Sequence, residues 1–188
     1  KNKENEKAFK IIKERYERIA QNTNQFIFRL SIPDGNYEYI TPKVFDITGY
    51  SVDEVLNSPL LIRQTLHPEF IEYFDKSFAE LATNGKIDPV LEYKIFTKNE
   101  NVIWLQQRNS VIFDTNGKVI ALEGIVSDIT TSKLAEQKLI DSEITYREIF
   151  DSASNAFYIH DYNTGEVVDI NKAAEKLHGY TLEELKNQ

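Results

Sequence analysis

This sequence predicts an α+β fold, with two short strands, several short helices, one longer helix and then a meander of three longer strands. The meander is the firmest of these. Residues 89–97, 102–113 and 118–129 keep strand-like composition and are interrupted only by Lys98-Asn99-Glu100-Asn101 and Asp114-Thr115-Asn116-Gly117, both competent hairpin loops. Helix start and stop signals crowd instead into 41–54. A third observation sets the domain organisation. Tyr16, Ile19, Gly35, Ile40, Gly49, Tyr50, Glu54 and Asn57 return as Tyr146, Ile149, Gly165, Ile170, Gly179, Tyr180, Glu184 and Asn187, always 130 residues later and without a gap. A period of that length suits one small domain per repeat rather than a solenoid unit. The chain therefore reads as one complete module followed by the first part of a second.

The elements follow in order. Residues 4–21 read as a helix, because Phe9, Ile12, Tyr16 and Ile19 share one stripe among Lys, Glu and Arg. Its counterpart covers 131–150, with Ala135, Leu139, Ser142, Tyr146 and Ile149 in line. Each stripe resembles about two heptads, too few for a coiled coil stable by itself. Such a helix either caps its own domain or pairs with a second copy through Phe9, Ile12 and Tyr16. A hairpin follows, with strands over 26–31 and 37–41 around Pro33-Asp34-Gly35-Asn36. The second copy repeats it over 156–162 and 166–170, around Asn163-Thr164-Gly165.

Thr41 then reads as an N-cap ahead of Pro42 at the first helical position, opening a helix that runs through Ile47. Gly49 suits the left-handed residue that ends it. Ser51 and Glu54 have the spacing of a capping box, which starts the next helix. Thr181 and Glu184 repeat the device after Gly179-Tyr180. The repeated letters are read as a backbone instruction rather than a binding role for Tyr50 or Glu54. His67-Pro68 opens a longer helix over 69–83, with Phe70, Phe74, Phe78 and Leu81 on one side and Asn84-Gly85 closing it.

Composition narrows the function. The apolar fraction of 41% and charged fraction of 28% are ordinary for a globular protein. There is no Cys, so disulfides, thiol nucleophiles and thiolate metal sites are out. The absence of Met, position 1 included, points to an internal piece of a longer protein. A net charge of −8 argues against nucleic acid as a partner. No apolar run approaches the ~20 residues of a membrane helix and no signal peptide opens the chain, so a cytoplasmic fragment without membrane contact is expected, of a parent protein that could itself be membrane-anchored. Phosphate-loop, dinucleotide and nucleophile-elbow motifs are missing, and no acid–base pair stands out. No catalysis is read here.

Several of these features together resemble a PAS (Per-Arnt-Sim) sensory domain: the early hairpin, Ile47-Thr48-Gly49-Tyr50-Ser51, Leu66-His67-Pro68, Trp104, Asp114 with Gly117, and Gly124 through Asp128-Ile129-Thr130. On that resemblance, 1–21 is a leading helix, 22–130 a PAS domain, 131–151 a linking signal helix and 152–188 the start of a second PAS domain. The resemblance implies a five-stranded antiparallel sheet curled around a pocket covered by the short helices. It also implies a place upstream of a histidine kinase, a cyclic-dinucleotide cyclase or another effector in the same chain. Asp128, Ile129 and Thr130 match the family's closing signature, where the last strand passes into the outgoing helix. The truncated second copy needs a cover, from the first module, from another chain or from further residues.

Strand alternation then assigns faces, with Trp104, Gln106, Arg108, Ser110 and Ile112 outward. Leu105, Gln107, Asn109 and Val111 face the helices, as do Leu91, Tyr93, Ile95, Leu122, Gly124 and Val126. Trp104 outward provides a seat for the leading helix and a further dimer contact. Tyr93, Gln107, Asn109, Val126 and Arg63 are the candidate ligand residues. Gln107 and Asn109 either form an internal polar network or hold a small polar ligand; Arg63 either faces solvent or meets an anionic ligand. Flavin and haem are not expected. The positions that hold flavin in similar light sensors correspond to Ile95, Leu105 and Val126, and covalent flavin chemistry needs a Cys. The complete module's one histidine, His67, reads as structural, and neither it nor His160 nor His178 sits in a metal motif. Two functions stay open: a sensor and relay for a small molecule or conformational state, and an interaction module with a filled core acting in homodimerisation.

Overall fold

The structure, a computed structural model, describes residues 24–32, 34–59 and 61–186. The leading helix expected over 4–21, with Phe9, Ile12 and Tyr16, lies outside the described residues. The chain divides into two compact units, 1–133 and 134–188.

In the first unit, β1 (Gln25–Ser31) and β2 (Tyr37–Ile40) form a hairpin. Three short helices follow: α1 (Lys43–Thr48), α2 (Val52–Leu56) and α3 (Leu61–Thr65). A 3-10 turn at Pro68–Phe70 leads into α4 (Ile71–Asn84). The meander is β3 (Val90–Phe96), β4 (Val102–Phe113) and β5 (Val119–Asp128). The five strands pair antiparallel in the order β2-β1-β5-β4-β3, so the hairpin docks on the last strand rather than on the next one in sequence. This is the α+β architecture expected.

The side chains take the faces that alternation assigned. Leu91, Tyr93 and Ile95 of β3, Leu105 and Gln107 of β4, and Leu122 and Val126 of β5 are all buried. They meet Phe26, Phe28 and Leu30 of β1, and Val44, Ile47, Val55, Leu66, Phe74 and Leu81 from the helical layer. Gly124 belongs to the same face, directly across from Phe28.

The local signals act as their chemistry dictates, with two corrections. Gly49 ends α1 at φ 81°, and Ser51 and Glu54 exchange both capping-box bonds at the start of α2. Glu54 also pairs with Lys98; that ammonium first, and the Ser51 bonds after it, pull its carboxyl down to about 2. Thr41, however, does not cap α1, whose N-cap position is Pro42. Its hydroxyl instead accepts from the Ile27 N–H across the hairpin at 3.0 Å. Helix α3 is the second correction, because its five residues are too few for a periodicity to be read.

The second unit holds most of α5, which runs over Thr130–Ser152, then the hairpin β6 (Tyr158–His160) and β7 (Val167–Ile170), α6 (Lys172–His178) and α7 (Leu182–Lys186). The repeat persists at atomic level. Asn171, the counterpart of Thr41, accepts from the Phe157 N–H, the counterpart of Ile27, at 2.9 Å. Asn171 also caps α6 and donates to the carbonyls of Phe150 and Asn155, which satisfies a fully buried amide. Thr181 and Glu184 repeat the reciprocal bonds of Ser51 and Glu54. Phe157, Ile159, Leu177 and Tyr180 are exposed in this unit.

Candidate functional site

Three places in the first unit combine chemistry with position. The first is a polar chain on the inner face of the sheet. Tyr93 and Gln107 are diagonal neighbours, since Leu91 pairs with Gln107 and Tyr93 with Leu105. The Tyr93 hydroxyl donates to Gln107 Oε1 at 2.7 Å, Gln107 Nε2 donates to Asn109 Oδ1 at 2.7 Å, and Asn109 Nδ2 donates to the Asp88 carbonyl at 2.9 Å. Burial pushes the Tyr93 hydroxyl far above its ordinary value, and Tyr37 nearby adds to the effect, so it stays a neutral donor. Each amide has a protein partner, and Val126 lies beside them on the same buried face. Three of the sequence candidates thus form one internal network.

Arg63 stands apart from it. A cleft of about 400 Å³ lies between the β1–β2 turn and helices α3 and α4, walled by Leu30, Ile32, Ile62, Phe74, Phe78 and Ala82. Phe74 and Phe78 stack at 4.5 Å between ring centres. Ser31, Tyr37, Arg63 and Asp75 supply its polar groups. Arg63 is not free to meet an anion alone. Its Nε and Nη2 donate to the two Asp75 oxygens at 2.7 and 2.6 Å, tying α3 to α4. The guanidinium holds the Asp75 carboxyl below its usual range.

The third place is the root of α5. The Trp104 N–H donates to Thr130 Oγ1 at 2.9 Å, and the Ile129 N–H donates to the Trp104 carbonyl at 2.9 Å. Asp128 Oδ1 accepts from the Thr130 N–H at 2.8 Å and satisfies one of the orphan donors at the helix start. Lys133, in the first turn, reaches back to Glu92 on β3 at 2.9 Å, and Gln106 holds the other Glu92 oxygen at 2.8 Å. The Lys133 bond, then the Gln106 bond, lower the Glu92 carboxyl. The Trp104 ring centre has Lys94 Nζ at 4.8 Å and Lys133 Nζ at 5.5 Å, with Phe70 edge-on at 5.4 Å. Sequence reasoning named Asp128, Ile129, Thr130 and Trp104 but missed Glu92 and Lys133, whose partnership needs the register of β3 against β4. The Trp104 ring meets Phe70, Lys94 and Lys133, and the leading helix expected to seat on it lies outside the described residues.

His67 sits before the 3-10 turn with its ring stacked on Phe96 at 5.4 Å and its backbone N–H on the Lys94 carbonyl. Among the described residues, no group of three His, Cys, Asp or Glu side chains is placed to hold a metal ion, and no helix is long and apolar enough to cross a membrane.

Known proteins share this fold. A family described as the PAS fold matches residues 37–126, and one described as the PAS domain matches 145–188. Sporulation kinase C of Bacillus subtilis (strain 168) is 25% identical over 141 residues, which are 75% of this chain and 32% of that protein. The chain thus spans about a third of that curated relative. Among solved structures, a sensory box histidine kinase/response regulator from Burkholderia thailandensis E264 superimposes with a TM-score of 0.57 at 20% identity, covering 71% of this chain and 98% of that one. The N-terminal domain of a diguanylate cyclase with PAS/PAC sensor from Marinobacter aquaeolei gives 0.53 at 21% identity, covering 58% and 98%.

Proposed function

This chain belongs to the PAS family, and from that premise we propose that residues 22–130 act as a sensor and relay module with no catalysis of their own. A change in a small molecule or in conformational state leaves through Asp128, Ile129 and Thr130 into α5. From there it reaches the second PAS segment and an effector in the same parent protein, of histidine kinase or cyclic-dinucleotide cyclase type, working in the cytoplasm. The observation that carries this reading is the root of α5, where two strands, a Trp ring and an ion pair all grip the first turn of one helix. A shift of β4 against β5 cannot occur there without moving that turn. The reading includes neither flavin nor haem. Ile95, Leu105 and Val126 offer a flavin ring no hydrogen bond, and His67 is spent on packing against Phe96.

The test is amide hydrogen exchange on the whole chain carrying Thr130→Val with Lys133→Gln. Loss of both grips should speed exchange over the first turns of α5 while β1 and β2 keep wild-type protection. Wild-type exchange along α5 would remove the junction from the relay.

A second reading, homodimerisation, is favoured by one observation. Leu139, Tyr146 and Ile149 lie exposed along the stripe read from the sequence, Leu139 at 71% and Ile149 at 68%. Sedimentation of Leu139→Glu decides it, since a dimer indifferent to that charge does not use the α5 seam.

A further inference from the structure

The cleft beside Arg63 has a composition that selects its occupant. We propose that it is a binding site for an uncharged amphipathic small molecule with an aromatic or bulky apolar body and one polar, non-ionic end, and that it discriminates against anions. Its volume of about 400 Å³ is in the range of ligand pockets, roughly 300–1,000 Å³. Its walls are aliphatic and aromatic, and the stacked Phe74–Phe78 pair offers a flat body an edge or face to lie against.

The charges decide the rest. Arg63 is the cation among the lining residues, and Asp75 holds it through two parallel bonds, so the pair presents a closed dipole rather than a free positive charge. Ser31, also on the wall, has its hydroxyl engaged by the Asp34 carboxylate. An anion entering would lose its hydration beside a guanidinium already neutralised by Asp75, and a cation would lose its own beside the same neutral pair. A hydroxyl or carbonyl loses far less water and still finds partners in the remaining guanidinium N–H groups, the Asp75 oxygens and the buried Tyr37 hydroxyl, which burial keeps a neutral donor. A carboxylate ligand meets an Arg63 edge already taken by Asp75 and can reach only the remaining N–H groups, next to a charge of its own sign.

The inference supplies the sensor reading with a ligand and rests on it for meaning. Its test is nevertheless a binding measurement, independent of exchange along α5. Indole-3-ethanol, indole-3-acetate and tryptamine, similar in size and differing in charge, are titrated into the whole chain and followed by NMR at Ile62, Phe74 and Phe78. The alcohol should shift those signals and bind about tenfold tighter than either charged probe. Asp75→Asn, which frees the guanidinium on an exposed surface, should bring indole-3-acetate up to or past the alcohol. Ala82→Leu, which fills the cleft from α4, should abolish the shifts while far-ultraviolet circular dichroism stays as in the parent. Tightest binding by the acetate or the amine in the parent chain overturns the proposal. So does the absence of any shift at millimolar probe, or an Asp75→Asn variant with unaltered preference.

Discussion

Replacing Gly124 by Ala tests whether the sheet closes on its own core as described. A Cβ at position 124 falls 2.3 Å from Cε1 and 2.5 Å from Cζ of Phe28, and 3.2 Å from Cδ1. Carbon atoms in comfortable contact sit about 3.5–4.0 Å apart, so the ring has to retreat by more than an ångström. It has nowhere to go. Phe28 is 4% exposed and its ring packs edge-on against Tyr37 at 5.7 Å. Overpacking of this kind costs about 1–3 kcal/mol. Trp104, the chain's one tryptophan, lies in the first unit and reports its unfolding by fluorescence. With a urea slope of about 1–3 kcal/mol per molar, the midpoint of Gly124→Ala should fall by about 1 M. Phe28→Leu alone should also destabilise, by opening a cavity. Combined, the two changes should cost clearly less than their sum, because the new methyl enters the space the ring vacates. A Gly124→Ala midpoint unchanged from the parent, or strict additivity in the double variant, would refute the close approach of β1 and β5.

Two further outcomes follow. Tyr93→Phe leaves Gln107 Oε1 buried without its donor and should cost about 1–3 kcal/mol by the same fluorescence assay, while the Tyr93→Phe/Gln107→Leu pair, which removes both polar ends, should recover part of that loss. Stability should also fall in acid: Glu54 is drawn down to about 2, and Glu69, Asp75, Glu92 and Asp114 are all lowered by partners present only in the folded chain. The unfolded chain therefore takes up protons first. Denaturation midpoints should hold above about pH 5 and drop as pH descends from about 4.5 toward 2, less steeply in Glu54→Gln.

What the residue order disclosed and what it hid divide along the range of the interaction. The faces of β3, β4 and β5 were legible because alternation is local, and one outward residue, Trp104, sets the phase for its whole strand. The αL stop at Gly49 and the capping box at Ser51 and Glu54 were legible because both are settled within four residues. Thr41 misled because its hydroxyl had two acceptors' roles open to it. The local one, capping α1, lost to an unpaired N–H on the neighbouring strand, a partner 14 positions away. The repeat shows that this is the site's rule, since Asn171 makes the same cross-hairpin bond and, with a longer side chain, caps its helix as well.

The candidate site was harder for the same reason. A buried amide at 107 announces that a partner must exist. Whether that partner is protein or ligand depends on where a hydroxyl 14 positions earlier ends up, and the β3–β4 register puts Tyr93 within reach. Arg63 looked like a free charge because no spacing rule links it to Asp75, twelve residues on and in another helix. Lys133 and Glu92 escaped for want of any pattern joining a helix's first turn to a strand more than thirty residues earlier. Two of these partnerships, with the Trp104 backbone, share a consequence. The Tyr93–Gln107 bond ties β3 to β4, the Glu92–Lys133 pair ties β3 to α5, and the Trp104 backbone ties β4 to both β5's end and α5. The root of α5 is therefore held by β3, by β4 and by the end of β5 at once.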